Sequence, residues 1–152
     1  MSEIEKLRAE YPIVYEQKVL WQHVDAARHV NNVTYVLWFE DARVLYFEQL
    51  GFSLIADAHQ EPVGVVLGWQ ECKYVAPLFY LDTAVIGIRI IYIGRDWFTM
   101  ECKMVSREQD RVVAITQGRI VGYDFSTQRK TNLPQAWITK IEALEGRSLN
   151  IV

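Results

Sequence analysis

The sequence is poor in the residues that mark several common classes of protein. It has two cysteines among 152 residues, Cys72 and Cys102, which stand far apart and form no CxxC pair. Both fall in apolar, strand-like segments, so we expect two buried free thiols rather than a disulfide or a zinc site. The four prolines and eight glycines are spread along the chain without a low-complexity segment. This composition argues against disorder and against an internal linker.

Strong charge and long apolar runs are also missing. The formal net charge is -3, which argues against wholesale binding of nucleic acid or of a membrane surface but leaves room for a local basic patch that binds a phosphorylated ligand. The first residues, MSEIEKLRAEYP, lack the basic start and apolar run of a signal peptide. No apolar stretch approaches the roughly 18 residues of a membrane span. We therefore expect a cytoplasmic protein.

Hydrophobic residues, in contrast, are abundant. They make up 51% of the 152 residues, and 12% of the chain is aromatic. This content supplies a sizeable core for one domain covering residues 1–152.

The stretch from Asp25 to Gly51 organises the prediction. It runs from a polar loop into a segment from Val33 to Leu50 that has no glycine or proline, and Gly51 stands where a helix cap is expected. Only a narrow stripe of this predicted helix is polar, and its members are Thr34, Asp41 and Glu48. A helix this apolar must be wrapped by other elements.

The remaining elements are mainly strands. A short helix is predicted over 2–10 and a helix from Pro134 to the cap Gly146, while the segment 57–61 forms a polar connection. Strands are predicted at 15–24, from 63 to Pro77, and at 82–94, 97–106 and 111–123. Gly118 and Gly122 indicate bulges or close backbone approach. Short turns between the strands favour an α+β fold in which an antiparallel sheet of about five strands carries the helix on its concave face. Two such sheets are expected to pair edge to edge.

Three short motifs carry a family resemblance. They are Trp21-Gln22-His23-Val24-Asp25, the following His29-Val30-Asn31-Asn32, and Trp38-Phe39-Glu40-Asp41-Ala42-Arg43. Over roughly Val14 to Tyr123, the chain resembles the 4-hydroxybenzoyl-CoA thioesterase family of hotdog-fold proteins. The resemblance implies hydrolysis of acyl-CoA by a homodimer or homotetramer with active sites at subunit interfaces. It also implies no metal and no cofactor, coenzyme A being part of the substrate.

Two groups match the chemistry of thioester hydrolysis. The reaction needs a carboxylate that attacks the carbonyl or activates water, and N–H donors directed at the developing oxyanion. Asp25 precedes the loop and the predicted helix begins a few residues later, so a loop that folds back would bring both together. The resemblance assigns catalysis to Asp25 and carbonyl polarisation to the backbone N–H of Asn32. Whether Asp25 acts as nucleophile or as general base is left open.

Asp25 also has a purely structural interpretation, as a turn-forming residue after a strand. The motif departs from the family at two places, where Arg28 replaces a common glycine and His23 replaces a frequent acidic residue. Arg28 adopts positive φ less easily than glycine and could reshape the loop or, as a nearby cation, weaken Asp25 as a base. Alternatively, Arg28 could bind a carboxylate or phosphate of the substrate.

The other candidates have weaker signals. The side chains of Asn31 and Asn32 are predicted mainly as helix caps, with Asn31 also a substrate-binding candidate. His29 could orient the loop or contact substrate. Glu40 is a rival carboxylate, although an ion pair with Arg43 three residues later explains it more simply. A metal site built from His23, Asp25 and His29 lacks supporting spacing. The basic candidates for the phosphates of coenzyme A are Arg95, Lys103, Arg107, Arg129 and Lys130.

Two functions therefore compete. The first is an acyl-CoA thioesterase for small or medium acyl groups, and the second is an oligomer that binds acyl thioesters without hydrolysing them. A hotdog dehydratase would need its own His and acid motif, which the sequence lacks.

Overall fold

The computed structural model describes residues 1–52, 61–149 and 152. Its helices are α1 (Glu3–Glu10), α2 (Asn32–Leu50) and α3 (Gln135–Glu145), and a 3-10 turn covers Trp21–His23. Its strands are β1 (Ile13–Lys18), β2 (Val63–Tyr74), β3 (Thr83–Ile93), β4 (Trp97–Ser106), β5 (Arg111–Asp124) and β6 (Arg129–Lys130). The predicted connection at 57–61 lies outside the described residues except for Glu61. Among the helices of the described part, none is long and apolar enough to cross a membrane.

The strands form one antiparallel sheet in the order β1-β3-β4-β5-β2, with the two-residue β6 paired to β5. Helix α2 packs on this sheet, and its buried apolar residues belong to the main hydrophobic cluster together with those of β3, β4 and β5. This arrangement confirms the predicted α+β class and the hotdog architecture. It also leaves β2 at one edge of the sheet.

Both ends of α2 are capped as the sequence indicates. The Asn31 side chain accepts a hydrogen bond of 3.1 Å from the Val33 N–H. At the other end, Gly51 has φ +75° and closes the helix in the left-handed conformation. Close packing on the sheet depends on Gly118, because a Cβ built there would lie 3.0 Å from the Phe39 ring. The prediction of close backbone approach at Gly118 is thus confirmed.

The solvent-facing side of α2 differs from the prediction. Thr34, expected in the polar stripe, is buried, whereas Val33 and Leu37 are 57% and 56% exposed. The sheet of one chain covers only one side of the helix, so the exposed stripe mixes polar and apolar residues. Apolar surface of this kind is typical of a face that a second chain covers.

The first strand is shorter than predicted. β1 ends at Lys18, and the segment predicted to continue it to Val24 instead forms the 3-10 turn. The cause is local, since the Leu20 N–H donates to Nδ1 of His23 at 2.9 Å and is lost to the sheet. Strand β6 was not predicted. Both cysteines are free as expected, but Cys72 is only half-buried, while burial raises the pKa of the Cys102 thiol to about 12.

Candidate active site

The loop before α2 is a tight hairpin. Val24 and Val30 pair as an isolated bridge. Between them, the Arg28 N–H donates to the Asp25 carbonyl at 2.9 Å, and the Asp25 N–H donates to the His29 carbonyl at 3.3 Å. Arg28 closes the turn with φ +69°. A β-turn followed by one left-handed residue is a common way to join two antiparallel segments.

Further backbone hydrogen bonds fix this hairpin against the start of α2 and against the sheet. The Asn31 N–H donates to the His23 carbonyl at 2.9 Å, which joins the residue before the hairpin to the helix cap. The Val30 N–H donates to the Leu78 carbonyl at 2.8 Å. The loop therefore folds back so that Asp25 and the first turn of α2 lie at the same end of the molecule, as the sequence predicts.

The Asp25 carboxylate has both a structural partner and a free side. Its Oδ1 accepts a hydrogen bond of 2.8 Å from the Ala27 N–H, which is the turn role that the sequence allowed. The residue is exposed, and no described residue donates a hydrogen bond to Oδ2. The turn bond orients the side chain and leaves one oxygen available for chemistry, so the two interpretations of Asp25 are compatible.

Arg28 adopts the left-handed backbone conformation that favours glycine, at a cost in strain. Its effect on Asp25 as a base stays a prediction. Within the described residues, the ion pairs include none between Arg28 and Asp25. The exposed guanidinium is free to face a ligand, and its contact with substrate stays a prediction.

The first helical turn presents one backbone donor. Asn31 acts as the cap, as predicted, so the N–H of Asn32 begins the helix, and no described residue accepts a hydrogen bond from it. The Asn32 carbonyl accepts a hydrogen bond of 3.0 Å from the Tyr74 hydroxyl. Tyr74 thereby ties the helix start to the end of β2. The sequence predicts no chemical role for Tyr74, because Tyr74 and Asn32 are 42 residues apart and only the folded sheet brings them together.

The two histidines are held mainly by structural contacts. Nδ1 of His23 accepts from the Leu20 N–H, and its ring lies edge-on to Trp38 with centroids 5.1 Å apart. Burial lowers the pKa of His23 and favours its neutral form. His29 is half-buried, and its backbone forms an isolated antiparallel bridge with the backbone of Phe79. In the part of the chain described, no three His, Cys, Asp or Glu residues are grouped as metal ligands, and the absence of a metal or cofactor stays a prediction.

Glu40 does not join this site within one chain. It lies eight residues after Asn32, which corresponds to roughly 12 Å along the helix axis. Its carboxylate is 3.9 Å from Nη2 of Arg43, so the predicted pairing is confirmed. Its role as an alternative catalytic carboxylate would require a second chain.

Two cavities lie along the seam between α2 and β2. The larger has a volume of about 380 Å³ and includes Glu40, Arg43 and Phe47 in its wall. The smaller, of about 230 Å³, lies toward the helix start and includes Val36, Cys72 and Tyr74. Exposed apolar side chains lie at the hairpin and the helix start. Val33 is in the first turn of α2, Tyr74 bonds to the Asn32 carbonyl, Phe79 forms a backbone bridge with His29, and the Tyr80 ring packs edge-on against Trp21.

Comparisons with known proteins agree with this fold. A thioesterase from Thermus thermophilus, crystallised with coenzyme A and zinc, superposes with a TM-score of 0.79 at 27% identity and covers 92% of this chain and 98% of its own. A 1,4-dihydroxy-2-naphthoyl-CoA thioesterase from Synechocystis has a TM-score of 0.75 at 20% identity, with coverage of 84% and 93%. A protein of Aquifex aeolicus (strain VF5), provisionally named as an esterase, is 29% identical over 118 residues, which cover 72% of this chain and 90% of the relative. A family model matches residues 19–141, and the chain therefore belongs to the thioesterase-like superfamily.

Proposed function

We propose that this protein hydrolyses acyl-CoA thioesters, with Asp25 as the catalytic carboxylate and the Asn32 N–H as an oxyanion donor. One observation carries the proposal: the hydrogen bond from the Asn31 N–H to the His23 carbonyl joins the two sides of the hairpin and holds both groups at one end of the molecule. Family membership and the coenzyme A complex of the Thermus relative support it.

The helix start suits the charge that develops during the reaction. Attack on a thioester turns the carbonyl oxygen into an oxyanion, which is stabilised by donors already in position. The Asn32 N–H is such a donor, and the positive end of the α2 dipole adds to its effect. The Tyr74 hydroxyl and the Asn31 cap keep this turn in place.

Two routes fit the single free oxygen of Asp25. As a nucleophile, the carboxylate attacks the carbonyl carbon, the C–S bond breaks, coenzyme A leaves as the thiolate, and water hydrolyses the resulting anhydride. As a general base, it accepts a proton from water while the water oxygen attacks, and the C–S bond breaks from the tetrahedral intermediate. Hydroxylamine intercepts an anhydride, so formation of an Asp25 hydroxamate during turnover would select the nucleophilic route.

A second copy of the chain completes the site in this proposal. The active-site carboxylate is exposed in one chain and is surrounded by exposed apolar residues, whereas oxyanion chemistry gains from the exclusion of water. The edge strand β2 offers unpaired backbone groups for a two-fold partner. A two-fold axis makes the pairing antiparallel. In this proposal the axis passes near the middle of β2, so the Tyr74 end of one β2, with its helix start, lies beside the Val63 end of the other.

A non-hydrolytic acyl-thioester-binding oligomer is the second candidate. The turn bond from Ala27 to Oδ1 gives Asp25 a structural reason to be present without catalysis. In that case, ligand binding would persist, and substitution of Asp25 would not change turnover.

The deciding experiment measures thiol release from a panel of short, long, branched and aromatic acyl-CoAs, using wild type and Asp25→Asn. The Asn side chain can still accept from the Ala27 N–H, so the hairpin should persist. Asp124→Asn is a matched control, because Oδ1 of Asp124 also accepts from the N–H two residues later, at Ser126, at the end of β5. Circular dichroism and light scattering check fold and oligomeric state.

We expect Asp25→Asn to lose on the order of 10² to 10⁴ in rate and Asp124→Asn to retain activity. Full activity in Asp25→Asn would refute the role of Asp25 and direct attention to Glu40. If wild type binds acyl-CoA but releases no thiol, the binding function replaces hydrolysis.

A further inference from the structure

Arg43 is a buried cation that donates no hydrogen bond to any described residue. It is only 8% exposed, and its Cζ lies 4.4 Å from the centre of the Phe39 ring. The Glu40 carboxylate, 3.9 Å from Nη2, is too distant for a hydrogen bond. Nη1 is fully buried, and the described part of the chain offers it no acceptor.

Such a group is costly unless something pairs with it. A guanidinium carries five N–H donors, and a buried donor without an acceptor loses its hydration without replacement. Burial accordingly lowers the pKa of Arg43. The stacking on Phe39 and the weak pair with Glu40 compensate only part of this cost. An acceptor that the described chain does not provide would complete the site.

The neighbouring cavity is the place where an acceptor would meet the guanidinium. Nη1 has no accessible surface, so the acceptor would meet the N–H groups of the accessible part of Arg43, which also donate to no described residue. Arg43 forms part of the wall of the 380 Å³ cavity, whose other lining residues are mainly apolar. Aromatic rings are prominent among them and come from Phe47, Phe52, Phe125 and Trp137. A mostly apolar cavity with a few polar groups is the usual design of a site that binds a small organic group.

We propose that Arg43 is a specificity-determining residue that binds a neutral oxygen, such as a hydroxyl, keto or ether oxygen, on the acyl group of the substrate. A neutral acceptor fits better than a carboxylate because Glu40 and Glu61 in the same wall already place two negative charges beside one positive charge. The assignment rests on the proposed thioesterase function and names its substrate class. It predicts that oxygenated acyl groups are preferred over hydrocarbon chains of equal length.

The acyl group would reach this cavity from the other subunit. Within one chain, Arg43 lies eleven residues beyond Asn32, or roughly 16 Å along α2. In the two-fold pairing of β2 edges, the helix start of one copy lies near Val63 of the other, and Val63 lines the cavity. One copy therefore supplies Asp25 and Asn32, while the other supplies Arg43.

The test compares three acyl-CoAs with six-carbon acyl chains: hexanoyl-CoA, 6-hydroxyhexanoyl-CoA as the hydroxy derivative, and adipoyl-CoA as the carboxy derivative. We measure kcat/KM of the wild-type protein for each substrate. Calorimetry measures the affinity of the Asp25→Asn protein for the same three substrates. We expect the hydroxy derivative to exceed hexanoyl-CoA by on the order of tenfold or more in both measurements, as a hydrogen bond to a charged group implies. Equal values for these two substrates, or a preference for the carboxy derivative, would overturn the proposal.

Arg43→Met separates recognition from structure. Replacing a buried cation with an apolar side chain of similar length should leave the fold intact. The preference for the hydroxy derivative should fall to about one in Arg43→Met and stay unchanged in the control Arg8→Met, which alters an exposed arginine on α1. An unchanged preference in Arg43→Met would show that Arg43 is only a structural residue.

Mixed dimers test the shared site, and binding separates the two proposals. A dimer of one Asp25→Asn chain and one Arg43→Met chain has a single intact Asp25. Its substrate preference should match wild type if Arg43 acts across the interface, whereas the Arg43→Met preference would refute that arrangement. If wild type releases no thiol at all, thioesterase activity fails, and the calorimetric preference of Asp25→Asn still decides the role of Arg43.

Discussion

Replacing Arg28 with glycine should stabilise the protein. Arg28 closes the hairpin at φ +69°, a conformation that costs a residue with a Cβ roughly 1–2 kcal/mol. Glycine avoids this strain but loses roughly 0.5–1 kcal/mol more entropy on folding. The difference for Arg28→Gly is a net gain centred on ~0.75 kcal/mol, within a range of about 0–1.5 kcal/mol. For a chain of this size, the central value corresponds to a rise in Tm of about 1.5–3 °C.

Arg28→Ala is the matched control, because it removes the guanidinium but keeps the Cβ. Urea unfolding followed by tryptophan fluorescence gives the free energy of unfolding for both variants, and we expect Arg28→Gly to be the more stable of the two. If the two variants were equally stable, the residue would not be left-handed in solution. The rate of thiol release by the same variants, compared with wild type, measures the contribution of the guanidinium to catalysis. Both variants lack this group, which could contact a substrate.

Two further outcomes concern the residues around the hairpin. Asn31→Ala should lower the free energy of unfolding by about 1 kcal/mol, whereas Asn31→Ser should retain stability because serine caps a helix equally well. Asn32→Ala is the control in the same unfolding assay. A loss of equal size in this control would contradict the assignment of Asn31 as the cap. Burial lowers the pKa of His23 in the folded protein, so the unfolded chain binds a proton more readily as the pH falls, and the stability present above about pH 6.5 should decrease below it. Unfolding at about pH 7 and about pH 5 should show a smaller decrease for His23→Gln than for wild type, and an identical decrease would exclude His23 as a contributor.

Local signals in the sequence were sufficient for most of the fold. The absence of glycine and proline from Val33 to Leu50, followed by Gly51, located α2 to within one residue. Alternating apolar residues and polar turns located β2 to β5 and indicated an antiparallel sheet, whereas the position of β2 beside β5 was not predicted. Asn31 was correctly predicted as a cap because capping depends only on residues within one helical turn.

The failures have two physical causes, which are a local bond that competes with the sheet and the way the sheet covers α2. The prediction of a strand up to Val24 was wrong because the His23 side chain captures the Leu20 N–H. A polar stripe containing Thr34 was wrong because the sheet covers only one side of α2. Apolar periodicity alone does not reveal that the His23 ring accepts a hydrogen bond from the Leu20 N–H, nor which side of α2 the sheet covers.

The sequence by itself determined α2, strands β2 to β5, the family resemblance and the fold-back of the loop that brings Asp25 to the end where α2 starts. These depend on short-range spacing, since the hairpin and the cap involve residues 23–33. Only the tertiary structure decided that Tyr74 holds the Asn32 carbonyl and that Arg43 lies buried beside a cavity with no acceptor among the described residues. Those facts depend on how β2 and α3 pack around α2, and contacts between segments so distant in sequence leave no local pattern.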